Sequence, residues 1–357
     1  MRTVALSIRN ADMQGDRIFQ LADDGPIDQA PYTPWRRVRE LGLDCGLDLM
    51  TADQVAARAI NPRSVHVISY DWPPSTDALV ARGAQLAVLT SLEPPVIAWE
   101  LYYHLGRISG RFPHTLLFEG GRRRAAATTG FHRLYFPQVR QPRVISWPEW
   151  QNRKFLVSIT SNKALVRSFT RFFDRPREVS VKREIASRLY PPIAADQYLE
   201  RLRVAAHFGQ RVDVFGQGWQ RHHPAVPLVL HNAVLRAYRG AVAEKLEMLA
   251  QYRFSLCLEN SVFEGYVSEK IFDCFFTGTI PIYLGAPDIH RYVPPEAFID
   301  LQQFGTYGEL ESFLDGLDEP AMRRYVEAAQ DFVRSAEYAP FTVECFAQQM
   351  VQLVASS

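Results

Sequence analysis

Short apolar runs of strand length recur along this chain with amphipathic, helix-length stretches between them, and few folds satisfy that alternation. Residues 3–8, 64–70 (SVHVISY), 86–90 (LAVLT) and 114–118 (HTLLF) read as strands. Residues 74–83 and 96–107 read as helices, the second region bringing Ile97, Leu101, Leu105 and Ile108 to spacings of three or four. The rhythm breaks over 119–150, where EGGRRRAAATTG and a Pro- and Trp-rich stretch predict loops near a domain boundary. It resumes with strands at 155–160, 212–216 (VDVFG), 253–258, 280–284 and 297–301, and helices near 195–208, 240–251 and 267–276. Helical stretches at 319–334 and 343–355 close the chain. Strands alternating with helices in this way predict parallel sheets covered on both faces, an α/β protein.

The 357 residues exceed the roughly 250–300 at which a single core stops growing. Two domains are expected, 1–150 and 151–340, followed by a helical tail at 341–357, with a ligand cleft between the two domains. A formal net charge of +1 supplies no global field for nucleic acid, so no nucleic-acid partner is expected. Cys45, Cys257, Cys274 and Cys345 are too dispersed for a zinc site and suggest no disulfide framework, in keeping with a reducing compartment. The apolar stretch Val4 to Ile8 is too short for a signal-peptide core, and no window reaches the roughly 18–20 apolar residues of a membrane span. The expectation is a cytoplasmic chain with at most peripheral contact at the inner membrane.

The densest chemical information lies in 252–287, YRFSLCLENSVFEGYVSEKIFDCFFTGTIPIYLGAP. Phe254 to Leu258 is apolar enough for an inner parallel strand, and Glu259, Asn260 and Ser261 follow at its carboxyl end, where open α/β sheets bind ligands. A helix then starts near Val267, with Glu269 and Lys270 in its first turn and Val267, Ile271, Cys274 and Phe275 on its apolar face. Helix-start amides beside an ammonium suit a pyrophosphate. A neighbouring carboxylate suits sugar or ribose hydroxyls. Physics alone also permits a plain strand–helix–strand unit with Glu269 and Lys270 in solvent.

This segment closely resembles the donor-binding motif of the family 10 glycosyltransferases, the α-1,3/α-1,4-fucosyltransferases, in their soluble bacterial type. The shared pattern is F-x-L-x-x-E-N-S, then Y-V-[ST]-E-K, then [IV]-P-[IV]-x-x-G. The resemblance implies a GT-B fold, with two Rossmann-like domains and the active site in the cleft between them. It implies GDP-β-L-fucose as donor, inversion at the fucose anomeric carbon, and no metal or other cofactor. It carries nucleotide, sugar and phosphate contacts over to Asn260, Tyr266, Glu269 and Lys270, and a pyrophosphate contact to Arg201, for which Arg203, Arg183 and Arg167 are rivals. Val214 to Trp219 marks the strand and glycine turn near the guanosine, with Gly216 at the turn and Gln217 as a loop contact. The acceptor it implies is an oligosaccharide or glycoconjugate containing N-acetylglucosamine, with the linkage, α-1,3 or α-1,4, left open. Another nucleotide sugar, or a noncatalytic nucleotide- or glycan-binding role, is the competing reading.

Inversion needs a carboxylate to take the acceptor proton. Asp71, Asp77, Glu93, Glu100 and Glu119 are candidates in the first half. Glu93 follows strand 86–90 and precedes Pro94 and Pro95, which stiffen its loop. The family's Glu-Ser-Pro-like element, matched here as Leu-Glu-Pro-Pro, makes Glu93 the expected general base; Pro94 stands where the family has serine. Glu119 is the runner-up, beside the positive run Arg122, Arg123 and Arg124, which could meet an anionic acceptor or simply face solvent.

Overall fold

Val4, Ala5 and Leu6 are fully buried because they lie on an inner strand of a sheet covered on both faces. The computed structural model describes residues 1–20, 31–162, 177–222 and 226–357. It resolves into two compact units, Met1–Val139 together with Ala339–Ser357, and Arg140–Tyr338.

In the first unit the strands are β1 (Arg2–Ser7), β2 (Leu47–Thr51), β3 (Val65–Tyr70), β4 (Gln85–Thr90), β5 (His114–Leu117) and β6 (Gly130–Arg133). Their spatial order is β2-β1-β3-β4-β5-β6, every neighbouring pair parallel. Parallel neighbours need crossovers, supplied by α1 (Thr33–Asp44), α2 (Ala52–Ala57), α3 (Pro74–Ala81) and α4 (Trp99–Ser109). The order reverses between β1 and β3, so their carboxyl ends, at Ser7 and Tyr70, flank a topological switch point.

In the second unit the strands are β7 (Lys154–Ile159), β8 (Val212–Phe215), β9 (Tyr238–Gly240), β10 (Tyr252–Leu258), β11 (Ile280–Leu284) and β12 (Ile299–Asp300). They pair in parallel in the order β12-β11-β10-β7-β8-β9. Its helices are α5 (Trp147–Trp150), α6 (Arg177–Leu189), α7 (Tyr198–Phe208), α8 (Leu228–Ala237), α9 (Lys245–Leu249), α10 (Glu269–Thr277), α11 (Tyr307–Gly316) and α12 (Glu319–Phe332). Leu156, Val214, Phe254, Leu256, Ile280 and Ile282 join the core of this sheet. Here the reversal falls between β7 and β10, so Thr160 and Glu259 emerge side by side at the switch point.

The predicted tail is part of the first unit. Helix α13 (Val343–Ala355) buries Phe346, Ala347, Met350, Val351, Leu353 and Val354 and packs along α1, where Phe346 meets Trp35 edge-on at 5.6 Å. Arg37 pairs with Glu344 at 2.8 Å. Each large apolar side chain buried this way contributes about 1.5–3 kcal/mol, so the apolar face of this helix is spent on the fold. The units also part at 139/140 rather than at 150. Inside the predicted loop region 119–150 lie the short β6 and α5. The predicted helix 240–251 shrinks to Lys245–Leu249, because Tyr238–Gly240 is an edge strand ending on a positive-φ glycine. Helices α1, α2, α6, α8 and α11 and strands β2 and β9 were not foreseen.

β8 ends where Gly216 adopts φ 133°, and a Cβ there would stand 2.1 Å from the Thr160 carbonyl oxygen. A Gly216→Ala substitution is expected to lower stability by about 2–4 kcal/mol, read as a fall in the chemical or thermal midpoint of the second unit.

Candidate functional site

At the second unit's switch point a buried guanidinium bridges the two diverging strands. Arg201 on α7 is 5% exposed. Its Nε and Nη2 donate to the Leu258 carbonyl at 3.2 and 2.7 Å, its Nη1 to Thr160 Oγ1 at 3.1 Å, and its Nη2 also to Asn260 Oδ1 at 3.0 Å. Among the described residues no carboxylate lies within ion-pair distance of it. Burial pulls its pKa down, opposed by Tyr198, Glu259, Tyr266 and Glu269 at longer range. A buried cation satisfied only by neutral oxygens is costly to keep, and an anion at this point would offset the cost.

Glu259, the first residue beyond β10, is fully buried. Its Oε1 accepts the Ser268 backbone N–H at 2.7 Å, and its Oε2 accepts Ser268 Oγ at 2.7 Å and Lys270 Nζ at 2.9 Å. Ser268 precedes α10 but makes no side-chain cap of its own. Glu259 therefore caps α10 from the strand, where a negative charge complements the positive helix end. Gly285, just past β11, makes room for this carboxylate: a Cβ there would lie 2.5 Å from Glu259 Cγ.

Glu269 and Lys270 occupy the first turn of α10, as the sequence predicted. Burial works against the charge on Lys270, yet Glu259 and Glu269 raise its pKa. Burial likewise works against the charge on Glu269, while Lys270 and Lys245 hold it down at about 2. Lys245 pairs with the buried Asp273 at 2.7 Å and lies 3.9 Å from Glu269; Arg140 pairs with Asp273 at 2.7 Å. Arg201, Lys270, Lys245 and Arg140 thus face Glu259, Glu269 and Asp273, four cations to three carboxylates. Arg201, Lys245 and Lys270 line one cavity with Thr160 and Leu258.

Asn260 joins the group through Arg201 and donates from Nδ2 to the Tyr266 hydroxyl at 3.4 Å; Tyr266 is 2% exposed. The 259–268 loop is anchored where Gly265, at φ 74°, donates its N–H to Asp288 Oδ1 at 2.8 Å. Gly216 marks the end of β8, and the Gln217 carbonyl accepts the Asn162 N–H at 2.9 Å. Of the rivals to Arg201, Arg203 is exposed and pairs with Glu200 at 3.5 Å, Arg183 lies on α6, and Arg167 is outside the described residues. Sequence reading brought Arg201, Asn260, Tyr266, Glu269 and Lys270 to one place. It missed Thr160, Lys245, Asp273 and the capping role of Glu259, although the buried-strand pattern ahead of Glu259 already put a carboxylate at the sheet edge.

In the first unit Glu93 lies in the turn after β4. Its N–H donates to Ser91 Oγ at 3.1 Å, and Ser91 Oγ donates to the Glu93 carbonyl at 3.1 Å. The following Pro94 and Pro95 are buried, so the turn is braced from both sides. The runner-up is engaged elsewhere: Glu119 pairs with Arg122 at 2.6 Å and Arg133 at 3.1 Å. Burial would raise its pKa, but these two guanidinium groups lower it, making it a weak proton acceptor. The run 122–124 is not a uniform charged face either, since Arg124 donates to the Tyr102 and Tyr103 carbonyls at 2.8 and 2.6 Å. Trp99 and Tyr102 are core residues, 7% and 0% exposed. Among the described residues no group of three or more His, Cys, Asp or Glu side chains is arranged to hold a metal, and no helix is long and apolar enough to cross a membrane.

Two parallel, doubly covered sheets, each with a reversed strand order, define the GT-B-like class with two Rossmann-like domains. A crystal structure of an α1,3-fucosyltransferase with GDP has this fold, at a TM-score of 0.52 and 15% identity over 99% of this chain and 90% of that one. Residues 181–347 match the C-terminal region of glycosyltransferase family 10 (fucosyltransferase), and the chain carries a family 10 glycosyltransferase domain. An α-(1,3)-fucosyltransferase of Helicobacter pylori is 41% identical over 73 residues, 20% of this chain and 15% of that protein. Human α-(1,3)-fucosyltransferase 7 is 32% identical over 147 residues, 40% of this chain and 34% of that protein. The match thus spans only 15% and 34% of the length of these curated relatives.

Glu259→Ala strands both the Ser268 N–H and Lys270, so a loss of about 3–5 kcal/mol is expected in denaturant titrations. Glu269 has a depressed pKa in the folded chain, so its stabilisation is complete above the usual value of 4.5 and is lost as the pH falls toward about 2. Glu269→Gln should therefore be less stable than the parent at pH 7, and the gap between their urea midpoints should narrow at pH 3.

Proposed function

We propose that the protein transfers L-fucose from GDP-β-L-fucose, with inversion, to a hydroxyl of an N-acetylglucosamine-containing glycan. The observation that carries this reading is Arg201, a buried guanidinium without a carboxylate partner among the described residues, beside Lys270 and a helix start at the switch point. That arrangement suits a diphosphate. The family 10 match over 181–347 and the names of the curated relatives support fucose as the sugar.

In this mechanism the diphosphate of GDP is held by Arg201 and Lys270, with the nucleoside toward the Gly216 turn. Asn260, Tyr266 and Glu269 orient the sugar, Glu269 as an anionic acceptor for hydroxyls. Glu93 takes the proton of the acceptor hydroxyl as its oxygen attacks the anomeric carbon. The bond to the phosphate oxygen breaks on the opposite side, and the charge gathering on GDP meets fixed cations that need no reorganisation. A leaving group stabilised in this way needs no proton from a general acid.

Glu93→Gln should lower kcat by about 10³-fold or more while leaving the Kd for GDP within about twofold, as steady-state assays and calorimetry would read. Arg201→Ala should weaken GDP binding and transfer together. In a panel of GDP-fucose, GDP-mannose and UDP-sugars, transfer from GDP-fucose alone is expected; a preference for UDP-sugars would refute the donor assignment.

A further inference from the structure

The first unit has its own switch point, between β1 and β3, and an unusual residue pair stands there. Asp71 and Trp72, directly after β3, adopt φ 63° and 52°. Two successive non-glycine residues in the left-handed region are rare, and a bulky one is an outlier. The surroundings impose the conformation. Trp72 is held edge-on against Phe112 at 5.9 Å and under the Arg111 guanidinium at 4.7 Å, while the Asp71 N–H donates to the Thr90 carbonyl at 3.0 Å. Such strain at a sheet's carboxyl edge commonly marks function.

The strained turn keeps a carboxylate inside the protein. Asp71 Oδ1 is buried without a hydrogen-bond partner among the described residues, although a buried polar atom is nearly always paired. The Ser91 hydroxyl contacts the same carboxyl group, and Ser91 is the residue whose Oγ exchanges both hydrogen bonds with the Glu93 backbone. The Asp71 N–H bond to the Thr90 carbonyl fastens the end of β3 to the end of β4, immediately before Ser91. The groups facing Asp71 are Tyr70 on its own strand, Ser91 on the β4 turn and Arg9 beyond β1, while Glu93 faces Tyr70.

We propose that Asp71 is a positioning residue for the proposed base: acting through the Ser91 hydroxyl, it sets the geometry of the turn that carries Glu93. Ser91 has one hydroxyl proton and two claimants for it, the Asp71 carboxylate and the Glu93 carbonyl. Whichever takes it decides how tightly the turn closes. Burial raises Asp71 to about 6, against the Ser91 hydroxyl and Arg9, which lower it. The inference rests on the reading of Glu93 as proton acceptor, and nothing else in the proposed mechanism requires Asp71.

The test uses the full chain with GDP-fucose and an N-acetyllactosamine acceptor. Asp71→Gly removes the carboxyl group without a left-handed backbone penalty, and Asp71→Asn keeps an acceptor for Ser91 and tolerates the same φ. Asp71→Gly and Ser91→Ala should each lower kcat about tenfold or more, with the KM for GDP-fucose and the Kd for GDP within about twofold. Asp71→Asn and Ser91→Thr should recover most of that loss, and the Asp71→Gly/Ser91→Ala double variant should be no slower than the slower single, because both act on one element. Multiplying effects in the double variant, or full activity in Asp71→Gly, would overturn the inference. Glu93→Gln is assayed in parallel: if it stays active, the base assignment fails and the positioning role fails with it. If it is inactive while Asp71→Gly is fully active, only the role of Asp71 is lost.

Discussion

The second unit is organised by one buried carboxylate. Glu259 leaves β10 with no access to water, and its two oxygens take an N–H, a hydroxyl and an ammonium. A buried ion is tolerated only when it is paired and hydrogen-bonded, and this set of partners can be met in one way: α10 must start at Ser268, and Lys270 must fold back over its own helix start. The same requirement excludes a Cβ at residue 285, where the chain leaves β11. The position of Lys270 is thus decided by the neighbour that neutralises it. Its charge is matched, whereas that of Arg201 has no carboxylate partner among the described residues.

That asymmetry is what makes the place chemically useful. Arg201 is anchored by carbonyl, hydroxyl and amide oxygens from both strands of the switch point, so it is held in place, buried and, among the described residues, without a compensating carboxylate. A site with one excess cation can hold an anion without first breaking an internal ion pair. Lys245 and Arg140, through Asp273, keep the opposite flank neutral and help hold Glu269 ionised. The two sheets solve related problems differently. At its switch point the second gathers cations, while the first holds a strained turn with an incompletely satisfied carboxyl group beside the Glu93 loop.

Much of the architecture was legible because parallel strands buried on both faces must be continuously apolar. The runs at 64–70, 86–90, 253–258 and 280–284 match β3, β4, β10 and β11 to within a residue or so, and the predicted last helix, 343–355, coincides with α13. The strands that escaped, β2, β6 and β9, lie at sheet edges. β2 and β6 have five and four residues, too few to show a period, and β9 ends on a glycine. At the site, neighbours along the chain were foreseeable: Asn260, Tyr266, Glu269 and Lys270 fall within eleven residues of one motif. Thr160 and Lys245 were not, since nothing local marks a threonine after one strand or a lysine in a one-turn helix as belonging to a group assembled from four segments.

The sequence by itself determined the class of fold, the strand–helix unit that presents Glu269 and Lys270, and the loop that carries Glu93, because hydrophobic period, helix starts and prolines act over a few residues. The tertiary structure alone decided which charges cancel and which do not. It turned Glu259 from a strand-end polar residue into a helix cap, left Arg201 without a carboxylate among the described residues, tied Glu119 to two arginines, and returned α13 to the first unit. Each of these outcomes depends on groups up to about 300 residues apart in the chain, such as Arg37 and Glu344. Electrostatic energy is set by distance and burial in space, which no local pattern encodes.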